Sequence, residues 1–149
     1  MPGGLCLVSS ANHRDLRYQM KDLQRLIPRD KHDVERAISA REAGYPTVHP
    51  IIPELLRWVQ DTNWPVALEL IPLFIPIGKP LAPAIRHILV SNDPTWIYSV
   101  LTAIVDASPG LAAELREDIT HLIHIVPLNE DEEVMIHAAK SVLHTSALE

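Results

Sequence analysis

Ile51–Ala67, read as IIPELLRWVQDTNWPVA, holds a helix, a sharp stop and a second helix start within 17 positions. Pro53 suits a first helical turn, and Leu55, Leu56 and Val59 fall on one face. Asn63 then precedes Pro65, which belongs in a new first turn because a helix interior would lose a backbone donor there. The segment therefore predicts a helical hairpin. The pattern recurs: Pro83 stands 30 positions after Pro53, Asn92 stands 29 after Asn63 and Trp96 stands 32 after Trp64. A period near 30 predicts stacked helical pairs.

Outward from this segment the same spacing continues. Leu16, Met20, Leu23 and Leu26 or Ile27 predict an amphipathic helix over Arg14–Ile27, closed by Pro28. Val34, Ala37 and Ile38 predict a second over Asp30–Ala43, with Gly44 as its stop. Tyr45-Pro46 connects it to a third, which Thr47 can cap and which runs to about Asp61. A fourth starts near Pro65, and Pro72 and Pro76 predict a kink or early termination within it. Further helices are expected over Leu81–Val90, Thr95–Ala107, Pro109 to about Ile125 with Ser108 as cap, and from Asn129 or Glu130 through Leu143. No run shows sustained two-residue alternation, so strands find little support. The expected fold is all-α, a HEAT-like short solenoid of antiparallel helical pairs.

The chain has 149 residues, of which 47% are hydrophobic, enough for one substantial core. The expected organisation is a flexible segment 1–13, one helical-repeat domain 14–147, and residues 148–149 resembling vector-derived sequence. The longest apolar run, Pro65–Ile77, is interrupted by Glu69 and is shorter than the roughly 20 residues a bilayer demands. Neither a membrane helix nor a secretory leader is expected, and the cytoplasm is the default location. The lone Cys6 cannot form an internal disulfide.

The net charge of −6 conceals an asymmetry. Residues 1–50 carry 8 basic and 6 acidic side chains, whereas residues 51–149 carry 5 and 13, so the two parts are +2 and −8. An acidic C-terminal part repels phosphate backbones and favours basic proteins, which argues against nucleic acid as a partner.

The segments LIPRDKHDVERA, AGYPTVHPIIPELL and WVQDTNWPVA, spanning Leu26–Ala67, closely resemble the bacterial domain-of-unknown-function family numbered five thousand and seventy-one. The resemblance continues more weakly through SNDPTWIY, with its Asn/Asp turn followed by Trp96. It implies a HEAT-like helical repeat and, for some members, genes beside secreted antibacterial toxins. It implies no catalytic residue. Pro72 and Pro76 depart from the family pattern.

Candidate functional residues fall into four groups. Trp58, Trp64 and Trp96 are read as structural, large rings that seal the stack. Asp61 and Asp93 recur at equivalent turns beside Asn63 and Asn92, where they can cap helices. With Glu130, Asp131, Glu132 and Glu133 they form the expected acidic contacts for a partner gripping one edge. Asp30, His32 and Asp33 could serve as acid–base groups, but charge pairing and capping in a helix-start network explain these residue types without invoking a reaction and are the preferred reading. His121 and His124, with His137 and His144 on the next helix, could converge on a metal but lack the four-residue helical pair or the cysteines of a strong zinc signal. No Gly-rich phosphate loop or nucleophile elbow is present, and no cofactor is implied.

The functional expectation is a non-enzymatic, cytoplasmic immunity protein that binds and neutralises a cognate toxin, itself basic. The rival expectations are a helical-repeat enzyme, glycosylase-like or chromophore-lyase-like, and a general interaction scaffold.

Overall fold

The protein's structure, a computed structural model, describes residues 20–147. The segment 1–13, Cys6, residues 14–19 of the predicted first helix and residues 148–149 lie outside the described residues. Among those described there are helices and turns and no strand, so the fold is all-α. The helices are α1 (residues 20–24), α2 (Val34–Ala43), α3 (Ile52–Leu56), α4 (Pro65–Ile77), α5 (Ala82–Leu89), α6 (Pro94–Val100), α7 (Pro109–Glu114), α8 (Arg116–Ile123) and α9 (Glu130–Ala147).

Two consecutive stretches share one element order. In His49–Ile77, a 3₁₀ turn leads into α3, a second 3₁₀ turn closes it, and Pro65 starts α4. In Lys79–Val105, a 3₁₀ turn leads into α5, and Pro94 starts α6, which runs on into a π-helical segment, Leu101–Val105. The third stretch is less regular: Leu115 separates α7 from α8, and α9 is the longest helix at 18 residues.

The helices sort into two layers. α2 packs on α4, α4 on the π segment, and both α6 and the π segment on α9, forming one layer. α3, α5 and the α7–α8 pair form the other, with α5 against α8 and the Lys79–Leu81 turn against α7. Lateral packing within a layer thus matters as much as the pairing of sequence neighbours, and the chain bends by 114° from α4 into Lys79–Leu89. Between the layers lies one core in which Leu55, Leu56, Leu70, Phe74, Leu81, Ile85, Leu101, Ile104, Leu111, Leu115 and Ile119 are fully buried. Burying such side chains at three- and four-residue spacing is what selects helices here.

Several sequence expectations need correction. α2 begins at Val34 because Asp30 and Asp33 hold a preceding turn: Asp30 accepts the His32 backbone N–H at 2.8 Å, and Asp33 accepts that of Arg29 at 3.0 Å. Thr47 is exposed and Val48 precedes the next helical turn, with no side-chain cap. α4 is not terminated by Pro72 or Pro76 but continues to Ile77. Leu68, Pro72 and Pro76 are all exposed and spaced by four, so the carbonyls that lose a donor lie on the outer face, within reach of water. The helix ends at Gly78, whose φ of 68° few other residues adopt. Ser108 precedes α7 but makes no cap; its hydroxyl donates to the Ile75 carbonyl at 2.8 Å.

That last bond belongs to a pattern. The Trp96 indole donates to the Leu56 carbonyl at 3.1 Å, and the Ser99 hydroxyl to the Gln60 carbonyl at 3.1 Å. In each case a later segment supplies the donor that the end of an earlier helix lacks. Charges join the layers' members laterally: Arg41 of α2 bonds Glu69 of α4, while Arg86 of α5 bonds Asp118 of α8 at 3.1 Å and the Glu114 carbonyl at 3.2 Å. The hydrogen bond to Asp118, followed by the nearby charges of Asp118 and Glu114, raises the Arg86 pKa further above its ordinary value despite partial burial.

Candidate functional site

Two turns, which join the layers in successive stretches, meet at one edge of the molecule. The α5–α6 turn brings Val90, Ser91 and Asp93; the α8–α9 loop and the start of α9 bring Ile125 and Glu132. These residues line a common hollow of about 290 Å³ floored by Leu89, Ile97, Leu122 and Met135. Val90 on its wall is 78% exposed, and Val126 and Leu128, in the α8–α9 loop that also brings Ile125, are 79% and 86% exposed. Single exposed aliphatics are ordinary, whereas several at one edge leave apolar surface uncovered there.

The acidic residues at this edge divide by role. Asp93 is the N-cap of α6 and accepts the Trp96 backbone N–H at 3.0 Å. Asn129 accepts the N–H of Glu132 at 2.9 Å, and the Glu132 carboxylate reaches back to accept that of Leu128 at 2.7 Å. This reciprocal arrangement, close to a capping box, fixes the entry into α9. Glu130, Asp131 and Glu133 are exposed, and among the described residues none of the three takes part in an ion pair. Asp61, at the α3–α4 turn, accepts the Asn63 N–H at 2.8 Å and is not among the residues lining this hollow. The structure therefore places Asp93 and Glu132 on one hollow, with Glu130, Asp131 and Glu133 outside its lining, and leaves Asp61 at a separate turn.

The tryptophans are half-buried against the core. Trp58 and Trp64 pack with ring centroids 6.0 Å apart, while Trp96 is anchored through its indole N–H. None is fully exposed.

The Asp30–His32–Asp33 group is organised around arginines. Asp33 accepts both the backbone N–H and the Nε–H of Arg29, each at 3.0 Å, and lies 3.6 Å from Nε of Arg36. Burial pushes the Asp33 carboxyl up, but the hydrogen bonds and charge of Arg29, with the charge of Arg36, outweigh it and hold the pKa below its ordinary value. The same pair raises the Arg29 pKa, chiefly through its hydrogen bond to Asp33. His32 contributes a backbone N–H to Asp30 and stays exposed. A carboxylate so occupied is a structural clasp and not the orienting partner of a histidine base. His121, His124, His137 and His144 are all exposed, and among the described residues no three His, Cys, Asp or Glu side chains converge as metal ligands.

One feature escaped the sequence reading. Between α3 and α5 runs a groove with a hollow of about 600 Å³, walled by Pro53, Pro83, Ala84, Ile88 and Trp96, with exposed His49 and His87 at its rim. The 30-residue proline spacing that announces the hairpins also places these rings on facing walls, a signal that could have been followed to the surface.

Comparison with known families agrees with the motif-bearing segments. The model of a domain of unknown function, DUF5071, matches residues 26–143. The chain belongs to the DUF5071 family. A comparison with curated proteins finds no match. Among the described residues of this DUF5071 protein, no single helix is long and apolar enough to cross a membrane. The apolar α4 instead buries Val66, Ala67, Leu70, Leu73 and Phe74 in the core.

Proposed function

We propose that this DUF5071 protein is a protein-binding module, a cytoplasmic immunity protein that captures and neutralises a cognate secreted bacterial toxin. The observation that carries the binding role is the edge where Val90, Asp93 and Glu132 line one hollow and the α8–α9 loop and start of α9 add exposed Val126, Leu128, Glu130, Asp131 and Glu133. An apolar centre with an acidic surround suits a protein whose own surface is apolar with a basic rim: burial of the centre slows release, and opposite charge speeds encounter. The toxin as partner class is supported by the family resemblance and by the excess of acids in residues 51–149. The enzyme alternative draws less support, because Asp33 is engaged by two arginines and His32 is exposed on a turn.

The test is co-expression with the product of the neighbouring gene. Rescue of the cells, together with co-purification of the two chains, is the expected result. Recovery of the neighbour's toxicity in full, with no complex on gel filtration, would remove the toxin as partner.

A further inference from the structure

The groove between α3 and α5 does not stop at its own walls. An adjoining hollow of about 540 Å³ shares Pro53, His87 and Trp96 with it and adds Glu54 and Arg57. That hollow in turn shares Val90 and Ser91 with the edge hollow, which contains Asp93 and Glu132. The three together form one continuous track, from the first turns of α3 and α5 to the acidic edge.

The chemistry of the track is selective. Helix N-termini ordinarily present free N–H groups and attract anions. Here Pro50, Pro53, Pro80 and Pro83 occupy the first turns and offer ring methylenes where donors would stand. The Trp96 indole N–H is already taken by the Leu56 carbonyl. The floor therefore receives apolar side chains and has little with which to hold an anion. Among the described residues, Arg57 is the one Lys or Arg lining these three hollows, against Glu54, Asp93 and Glu132. Such a track complements a chain that is apolar and basic together.

We infer that this proline-walled track binds an extended segment of a partner protein, seating apolar side chains between α3 and α5 and delivering Lys or Arg to Asp93 and Glu132 at the edge. The inference rests on the reading of the chain as a protein-binding module; the toxin assignment is a separate matter. Ala84, half-buried on the wall of the groove, is the position from which the track can be closed, and Glu54 is the exposed acid within it.

The experiment pans a phage-displayed library of random 12-residue peptides against the full chain, then measures synthetic copies of the enriched peptides by fluorescence anisotropy. Enriched sequences should combine Lys or Arg with aliphatic or aromatic residues. Their affinity should fall at least tenfold in Ala84→Arg and several-fold in Glu54→Lys, with melting temperatures near that of the parent protein. Glu54→Lys, being exposed, keeps the test open should Ala84→Arg fail to fold. Enrichment of acidic peptides, no enrichment at all, or unchanged affinity in the variants overturns the inference. So does a dimer, seen by sedimentation, that Ala84→Arg dissolves, because the occupant would then be a second copy. Peptide binding that obeys the variants while the co-expressed neighbour is not neutralised leaves the track standing and removes the toxin. Neutralisation that survives both substitutions does the reverse.

Discussion

Asp33 shows how one side chain carries more structure than its neighbours in sequence suggest. Its carboxylate gathers Arg29 and Arg36 and so fixes the approach to α2. Because its folded pKa lies below the ordinary 3.8, the folded state takes up this proton less readily than the unfolded chain. Its contribution is therefore complete above about pH 4 and is lost as pH falls through the lower folded value. Thermal melts between pH 2 and 7 should show that Asp33→Asn melts lower at neutral pH and loses part of the acid-limb slope. A parallel downward offset at every pH would show that the clasp is not electrostatic. Ser108 gives a second test at this scale. Its buried hydroxyl meets the Ile75 carbonyl, so Ser108→Ala leaves an acceptor without its donor and should cost about 1–3 kcal/mol in urea unfolding. From sequence, Ser108 before Pro109 reads as a cap; the chain gave no sign that a carbonyl 33 residues earlier would claim it. Long-range partners of polar side chains are illegible because they depend on how layers stack.

At the scale of the element, most of the helices were legible for the reason that makes them stable. Apolar spacing at three and four residues is both the signal and the cause of burial, and Pro65, Pro94 and Pro109 each open the helix they announce. What failed was the expectation of early termination at Pro72 or Pro76. The rule that proline breaks helices compares a helix with water-exposed coil, whereas α4 is held by five buried side chains on its inner face. That burial outweighs the missing bonds, the more so because the deprived carbonyls face outward. Pro72→Ala should then restore a backbone donor without disturbing the core, and stabilise the protein by up to about 3 kcal/mol. Chemical unfolding measures this directly, and a loss of stability would mean that the proline ring packs against something essential. The π segment Leu101–Val105 also went unread, since an extra residue within a turn leaves the apolar pattern nearly unchanged.

For the molecule as a whole, charge is the property that sequence conveyed most clearly and placed least well. Composition shows that residues 51–149 are acidic, but only the stacking of α6 on α9 brings Asp93 and Glu132 to one hollow and leaves Asp61 elsewhere. The proline-walled groove went unread for a related reason: the 30-residue proline spacing hints at it, but a gap between helices is not a property of any one of them. This separation of roles yields the last prediction. Glu132 caps α9, so Glu132→Lys removes the acceptor of the Leu128 N–H and sets a positive charge at a helix N-terminus, at a cost of about 0.5–2 kcal/mol in stability. Glu130 and Glu133 are exposed and, among the described residues, in no ion pair, and reversing both to lysine should perturb folding far less while slowing association with a basic partner. The association rate of the parent protein should fall with added salt, and that of the double variant should be lower and flatter. Leu128→Ala, which removes the most exposed aliphatic of the edge, should instead raise the dissociation rate. Surface plasmon resonance at two ionic strengths, run beside thermal melts of the same variants, separates the three effects. If the double reversal left the association rate and its salt dependence unchanged, the acids of α9 would be a solvated helix end, and the binding surface would have to be sought along the proline track alone.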